Sequence, residues 1–146
     1  MEIKKFEGNK KDYIDLLLLA DEEEAMVDKY INKGDMFILD DGGVKAECIV
    51  TAEAEGVYEI KNIAVSPEFQ KMGYGRKLIE FVLSYYKDWN QFLVGTGESP
   101  KTLDFYRRCG FRDAYRIENF FIDNYEKPIY EDGKQLVDMI YLKIER

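Results

Sequence analysis

The stretch "QKMGYGRK" at residues 70–77 is the part of this sequence that most limits how the chain can fold. It follows a strand-like segment and precedes an amphipathic one, residues 76–87, whose apolar side chains recur with the period of a helix. A helix that begins here leaves several backbone N–H groups unpaired at the positive end of its dipole. Gly73 and Gly75 remove the side-chain atoms that would keep an anion from those groups, and cations flank them. The loop is therefore predicted to bind a pyrophosphate.

Other interpretations of this loop match the residues less well. The dinucleotide fingerprint G-x-G-x-x-G needs a third glycine, but Leu78 occupies that position. A Walker A loop needs a G-K-[ST] ending, and the stretch does not contain one. A glycine turn that only starts a helix is the remaining structural alternative.

The rest of the chain alternates strand-like and helix-like patterns. The predicted strands are residues 2–6, three strands within 36–65 with turns at "DDGG" and "EAEG", 91–97, 111–122 and 134–145. The predicted helices are two short ones within 11–34 that meet at the acidic run 21–24, then 76–87 and 99–110. The sequence shows no repeat and no break in composition, so residues 1–146 are predicted to form a single α/β domain.

Composition excludes several kinds of function. The chain has no histidine, which excludes Ser-His and Cys-His nucleophile pairs and argues against a metal site. The net charge of −8 argues against nucleic-acid binding and is compatible with a cationic partner, although solubility alone also explains an acidic chain. Two cysteines make no disulfide framework, and no segment is typical of a secretion signal or a membrane span. A cytoplasmic location is expected.

Two motifs resemble those of the GNAT superfamily of acetyl-CoA-dependent N-acetyltransferases. Residues 63–82, "IAVSPEFQKMGYGRKLIEFV", resemble the motif Q/R-x-x-G-x-G/A, with Gln70, Gly73 and Gly75 at its defined positions. Residues 105–111, "FYRRCGF", resemble the second motif F-Y-x-x-x-G-F, and the order of elements is similar across nearly the whole chain. The resemblance implies a single-domain GNAT fold, in which a mixed, mostly antiparallel sheet of about seven strands is flanked by about four helices.

The resemblance also implies an enzyme that moves an acetyl group from acetyl-CoA to a primary amine, by direct attack in a ternary complex and without a metal. In this family the end of one strand pairs with the pantetheine arm of the cofactor, and the loop backbone binds its pyrophosphate. The cofactor-binding positions that follow are Ile63, Ala64, Val65, Gln70, Lys71, Met72, Gly73, Tyr74, Gly75, Arg76, Ser99 and Tyr106.

Two residues are candidates for acid–base chemistry. Tyr106 matches the family tyrosine that protonates the departing thiolate, and a packed aromatic on a helix is its structural alternative. Glu59 stands eleven residues before Gln70, where the histone-acetylating branch of the superfamily carries its glutamate base. The alternative for Glu59 is an ordinary charged residue on a half-exposed strand, with a water molecule or another carboxylate as the base.

One position departs from the family pattern. Many relatives carry an asparagine where this chain has Glu98 and Ser99. Glu98 is expected to point away from an anionic cofactor, and Ser99 is expected to cap the helix that follows.

The acceptor is the least determined part. Residues 122–134 interleave aromatic and acidic side chains and could attract a cationic amine, carried by a small molecule or by a protein; a solvated loop is the alternative. A homodimer is possible. The rival functions are a module that senses a coenzyme A derivative, a transferase of another acyl group, and a binder of other phosphate ligands.

Overall fold

The computed structural model describes all of residues 1–146, and the chain divides into two compact units, Met1–Trp89 and Asn90–Arg146. The first unit contains strands β1 (Glu2–Phe6), β2 (Asp35–Asp40), β3 (Val44–Ala54) and β4 (Val57–Val65), with helices α1 (Ile14–Ala20), α2 (Glu24–Val27) and α3 (Tyr74–Tyr85). The second contains strands β5 (Gln91–Gly97), β6 (Arg112–Ile117), β7 (Tyr130–Glu131), β8 (Lys134–Gln135) and β9 (Met139–Glu145), with helices α4 (Pro100–Arg108) and α5 (Phe120–Asn124).

The strands of the first unit form an antiparallel sheet in the order β1, β2, β3, β4. Its strands, its two turns and the junction between α1 and α2 confirm the sequence predictions. Because side chains alternate along a strand, neighbouring residues of β2 pack on opposite faces. Met36 lies in a core cluster with Leu17 of α1 and Val27 of α2, whereas Phe37 packs edge-on against Phe81 of α3, with ring centroids 5.8 Å apart. Helices α1 and α2 therefore cover one face of the sheet, and α3 covers the other.

A β-bulge interrupts the pairing of β3 with β4. Ile49 pairs with Asn62, but Val50 pairs with Ile60, so Lys61 is the extra residue. In a regular strand, residues that are three positions apart point to opposite faces. The bulge changes this, because Glu59 pairs with Thr51, which lies on the same face of β3 as Ile49. Both Glu59 and Asn62 consequently face α1 and α2.

Polar groups are buried on the face that α1 and α2 cover. The Asn62 amide donates to the Leu17 carbonyl at 3.0 Å and to the Tyr30 hydroxyl at 2.9 Å, and that hydroxyl donates to an Asp21 carboxylate oxygen at 3.1 Å. Glu47 of β3 shares this face, since it lies two residues before Ile49. Its side chain is completely buried, and neither carboxyl oxygen has a hydrogen-bond partner. Burial raises the pKa of the Glu47 carboxyl well above its ordinary value.

The strands of the second unit pair antiparallel in the order β5, β9, β6. Together with the four strands of the first unit they make seven. Two sequence predictions here are wrong in extent. The strand predicted over 111–122 ends at Ile117, because Asn119 has φ +58° and starts helix α5. The strand predicted over 134–145 covers only β9, and a short β7–β8 hairpin precedes it. None of the helices is long and apolar enough to cross a membrane.

The buried carboxyl of Glu47 leads to a prediction about stability. The pKa of this carboxyl is higher in the folded state than in the unfolded state. The free energy of unfolding is therefore highest below the unfolded pKa, and part of it is lost as the pH rises through the folded pKa. We expect Glu47→Gln, which cannot ionise, to gain stability over the wild type between pH 5 and pH 8, by up to about 1.4 kcal/mol per pH unit between the two pKa values. Urea unfolding at both pH values measures this, with the exposed Glu55→Gln as the control. Parallel pH profiles for all three proteins would contradict it.

Candidate cofactor loop and acid–base residues

The loop after β4 is tied back to the end of that strand. The Ser66 N–H donates to the Lys45 carbonyl at 2.8 Å, and residues Pro67–Phe69 form a single 3-10 turn. The Gln70 side-chain amide then donates to the Val65 carbonyl at 3.1 Å. Gln70 of the sequence motif therefore contributes here by closing the loop onto β4.

Left-handed backbone shapes the next residues. Lys71 has φ +66° and Gly73 has φ +85°, and Gly73 is the N-cap of α3. The first bond of the helix runs from the Lys77 N–H to the Gly73 carbonyl at 3.1 Å, so the N–H groups of Tyr74, Gly75 and Arg76 have no partner within the helix. A Cβ added at Gly73 would meet no atom within 4 Å, so the space beside this loop is open. Unpaired N–H groups beside open space are what an anion-binding loop requires.

The side chains of the loop divide into two groups. The Tyr74 ring is buried, and its hydroxyl donates to an Asp41 carboxylate oxygen at 2.6 Å, which raises the pKa of Tyr74 and lowers that of Asp41. Tyr74 thereby fixes the start of α3 against the turn between β2 and β3. Lys71, Met72 and Arg76 are exposed. The cationic residues therefore face solvent on the same segment as the unpaired N–H groups.

The other predicted positions in the first unit lie on β4. Ile63, Ala64 and Val65 pair with Cys48, Glu47 and Ala46 of β3, and of the three only Ala64 is fully buried. Glu59 is only 6% exposed, and Lys61 Nζ lies 3.2 Å from its Oε2. Glu59 is therefore a buried residue in an ion pair with Lys61, on a strand that also carries partly exposed side chains.

The second unit holds the remaining predicted positions. Ser99 occupies the N-cap of α4 as expected, and its carbonyl accepts from the Leu103 N–H at 2.9 Å. The expected side-chain cap is wrong, because the buried Ser99 hydroxyl has no hydrogen-bond partner. Glu98 pairs with Arg116, with O–N distances of 3.0 and 3.2 Å, and this guanidinium lowers the pKa of Glu98.

Tyr106 is buried on α4, in keeping with the packed aromatic that its position also predicted. Its ring lies edge-on to Phe105 and Phe111, with centroid distances of 5.2 and 6.0 Å. Replacement by phenylalanine would keep these ring contacts, so it isolates the contribution of the hydroxyl group.

Two buried polar residues, Glu47 and Asn62, were missed from the sequence. A signal for Glu47 was present, because a glutamate within the apolar run "AECIV" alternates onto the face of Ile49. Asn62 gave no such signal, since its orientation depends on the bulge at Lys61.

A strand that closes onto a glycine loop, followed by a twelve-residue helix, is the arrangement of an α/β protein that binds a phosphate-bearing ligand at a helix N-terminus. Comparison with known proteins defines the class more closely. The sequence profile of the acetyltransferase (GNAT) domain matches residues 32–113. The uncharacterized N-acetyltransferase YvbK of Bacillus subtilis (strain 168) is 34% identical over 135 residues, which cover 90% of this chain and 87% of that protein. The chain belongs to the GNAT acetyltransferase family and is an acyltransferase.

Solved structures agree in fold. A GNAT family acetyltransferase from Elizabethkingia anophelis with acetyl-CoA bound has a TM-score of 0.91 and 34% identity, and the match covers 99% of this chain and 97% of that one. A Bacillus subtilis acetyltransferase in complex with CoA has a TM-score of 0.88 and 30% identity, with 99% and 98% covered. The predicted GNAT fold class is therefore confirmed.

Proposed function

We propose that this protein transfers an acetyl group from acetyl-CoA to a primary amine, by direct attack of the amine in a ternary complex. Family membership and the two similar proteins that hold acetyl-CoA or CoA support the donor. The observation that carries the proposal is the loop at Gly73, where open space adjoins the N–H groups of residues 74–76. Such a loop suits a pyrophosphate, because the donors are already oriented and the helix dipole favours negative charge.

The cofactor contacts that we propose follow the family motif. The pyrophosphate binds the backbone N–H groups of Lys71, Met72, Gly73, Tyr74, Gly75 and Arg76, in the loop that Gln70 closes. The pantetheine arm pairs with the backbone of residues 63–65, as an added strand would. Ser99 and Tyr106 complete the set of cofactor positions, and the hydroxyl of Ser99 is a donor that has no partner within the chain.

The chemistry needs a neutral amine. A lysine-like amine has a pKa near 10.4, so exposing its lone pair at pH 7 costs about 4 to 5 kcal/mol. We assign this deprotonation to Glu59, directly or through water, because it stands where the histone-acetylating branch of the family carries its glutamate base and Lys61 holds its carboxylate in place. Positioning of both substrates supplies much of the remaining acceleration.

The leaving thiolate presents a smaller problem. A thiol of this kind has a pKa of about 8.5, so its thiolate is only mildly unfavourable near neutral pH. We assign its protonation to the Tyr106 hydroxyl, and we expect this contribution to be smaller than that of the base.

We propose a cationic acceptor, which fits the charge of −8 on the chain. In the second unit the acidic and aromatic segment 122–134 is held by a hydrogen bond from the Thr102 hydroxyl to a Glu131 carboxylate oxygen at 2.9 Å. We also propose that residues 1–146 act as one cytoplasmic domain that needs no metal. A non-catalytic coenzyme A sensor and a transferase of another acyl group are the alternatives, and thiol release from acetyl-CoA in the presence of amines separates the proposal from both.

The first experiment tests the loop. Calorimetric titration with acetyl-CoA, coenzyme A, ATP and NAD should show binding of the two coenzyme A species only. Gly73→Glu should abolish that binding, because its carboxylate enters the open space beside the loop. Gly73→Ala should lose about 1 kcal/mol of stability through the strained φ and should also bind more weakly.

Gly42→Ala is the matched control, because Gly42 also has positive φ (+69°) and no atom within 4 Å of an added Cβ. It should lose similar stability and keep full affinity for acetyl-CoA. Equal affinity losses in Gly42→Ala and Gly73→Ala would count against the loop as the binding site, and no binding of acetyl-CoA by the wild type would end the enzymatic proposal.

The second experiment tests Tyr106. Tyr106→Phe should lower the rate of thiol release by roughly 10- to 100-fold and leave the affinity for acetyl-CoA unchanged. Tyr115→Phe, which removes a hydroxyl from an exposed ring, should behave as the wild type. Complete loss of turnover in Tyr106→Phe with intact acetyl-CoA binding would show that the ranking of base over acid is wrong.

A further inference from the structure

Four buried polar side chains of the first unit lie on one face of the β3–β4 hairpin. This is the face that α1 and α2 cover, as the strand register shows. The residues are Glu47, Thr51, Glu59 and Asn62, each less than 7% exposed. They form a polar row beneath an otherwise apolar cover.

The two carboxyl groups lie toward opposite ends of this row. Glu47 pairs with Ala64, and Glu59 pairs with Thr51, four residues further along β3. At the rise of a β-strand their backbones are about 13 Å apart, and Asn62 lies between them. Because of this separation, the two carboxylates cannot bind the same nitrogen atom without distorting the sheet.

Glu47 is the unexplained member of the row. Removing a carboxyl from water without a partner costs several kcal/mol, and an apolar side chain in its place would usually be no less stable. Asn62 adds a second acceptor without a partner, its Oδ1. Both acceptors lie on one face, and a cationic donor placed between them would satisfy both.

Hydrogen bonds connect this row to the surface. They lead from Asn62 to Tyr30 and from Tyr30 to Asp21, at the junction between α1 and α2. The neighbouring Glu22 is exposed, so the acidic run of the sequence stands at the outer end of these hydrogen bonds. The acidic side chains of this junction attract cations to the surface beside the cover of the row.

The cover over the row is made of short elements. Helix α1 has seven residues and α2 has four, both below the length at which a helix is stable by itself. A ligand can displace such elements more easily than it can displace a long helix or a strand.

We propose that Glu47 and Asn62 bind a second cationic group of the acceptor, one that is not acetylated, so that the enzyme selects amines carrying two positive charges. This inference rests on the proposed function, in which Glu59 faces the reacting amine. Burial without a partner keeps the pKa of Glu47 high, and a bound ammonium group would lower it again.

A binding experiment tests this proposal without requiring turnover. Coenzyme A-bound protein with 13C-labelled isoleucine methyl groups is titrated with α,ω-diaminoalkanes of different chain length and with n-alkylamines of matching length. We expect the Ile49 methyl resonances to shift, since Ile49 neighbours Glu47 on the same face, and those of Ile79 on α3 to stay. The wild type should bind the best diamine at least tenfold more tightly than its matched monoamine.

The variant Glu47→Gln should bind coenzyme A and monoamines as the wild type does, while its preference for diamines falls to about twofold or less. Glu55→Gln, which removes an exposed carboxylate from the same hairpin, should keep the preference. Rates of thiol release with the same amines should show the same diamine preference in kcat/KM. The difference between diamine and monoamine should lie in KM rather than in kcat. An unchanged preference in Glu47→Gln, or a wild type whose Ile49 resonances do not move, would overturn the assignment.

The result can also separate this inference from the function on which it rests. The protein could fail to bind acetyl-CoA, or release no thiol with any amine, and still prefer diamines in a way that depends on Glu47. That result would contradict the transferase and support the cation site. Normal acetyl transfer with equal kcat/KM for diamines and monoamines would contradict the cation site alone.

Discussion

The bulge in β4 is the constraint on which the polar side of this protein depends. Glu59 and Asn62 are three residues apart, so a regular strand would turn one of them toward α3. One extra residue, Lys61, restores both to the face of Ile49, where Asn62 ties the sheet to α1 and α2 through Leu17 and Tyr30. Without the bulge, either Asn62 would lose these partners or the Glu59 carboxylate would turn toward the face on which Phe37 packs against α3.

The sequence predicts a structural feature when adjacent residues determine it, and does not when a distant segment does. The loop at residues 70–77 was predictable because a left-handed glycine, a helix start and flanking cations are all properties of adjacent residues. The extent of β6 was not, because "NFFI" has the apolar content of a strand, and the turn at Asn119 is held by Asp138 from a distant segment. The orientation of Asn62 likewise depends on pairing with β3, which no local pattern in β4 contains.

Opposite charges are distributed along a single stretch of chain. Strand β4 begins in a buried row of carboxyl and amide groups and is followed by a loop that carries the exposed cations Lys71 and Arg76 and unpaired N–H groups. An anionic cofactor and a cationic acceptor would thus each meet the opposite potential on the same strand and its loop. The overall charge of −8 conceals this division, because the acidic residues elsewhere outnumber the few cations of the loop.

Glu47 shows why stability alone does not account for this fold. An aliphatic residue at position 47 would join the apolar packing of Ile38 and Ile49 and would remove the two unsatisfied carboxyl oxygens. A carboxyl at position 47 destabilises the folded state as the pH rises. Its pairing partner is Ala64, which belongs to the segment proposed to hold the pantetheine arm. A destabilising group placed next to a binding strand is typical of positions where function opposes stability.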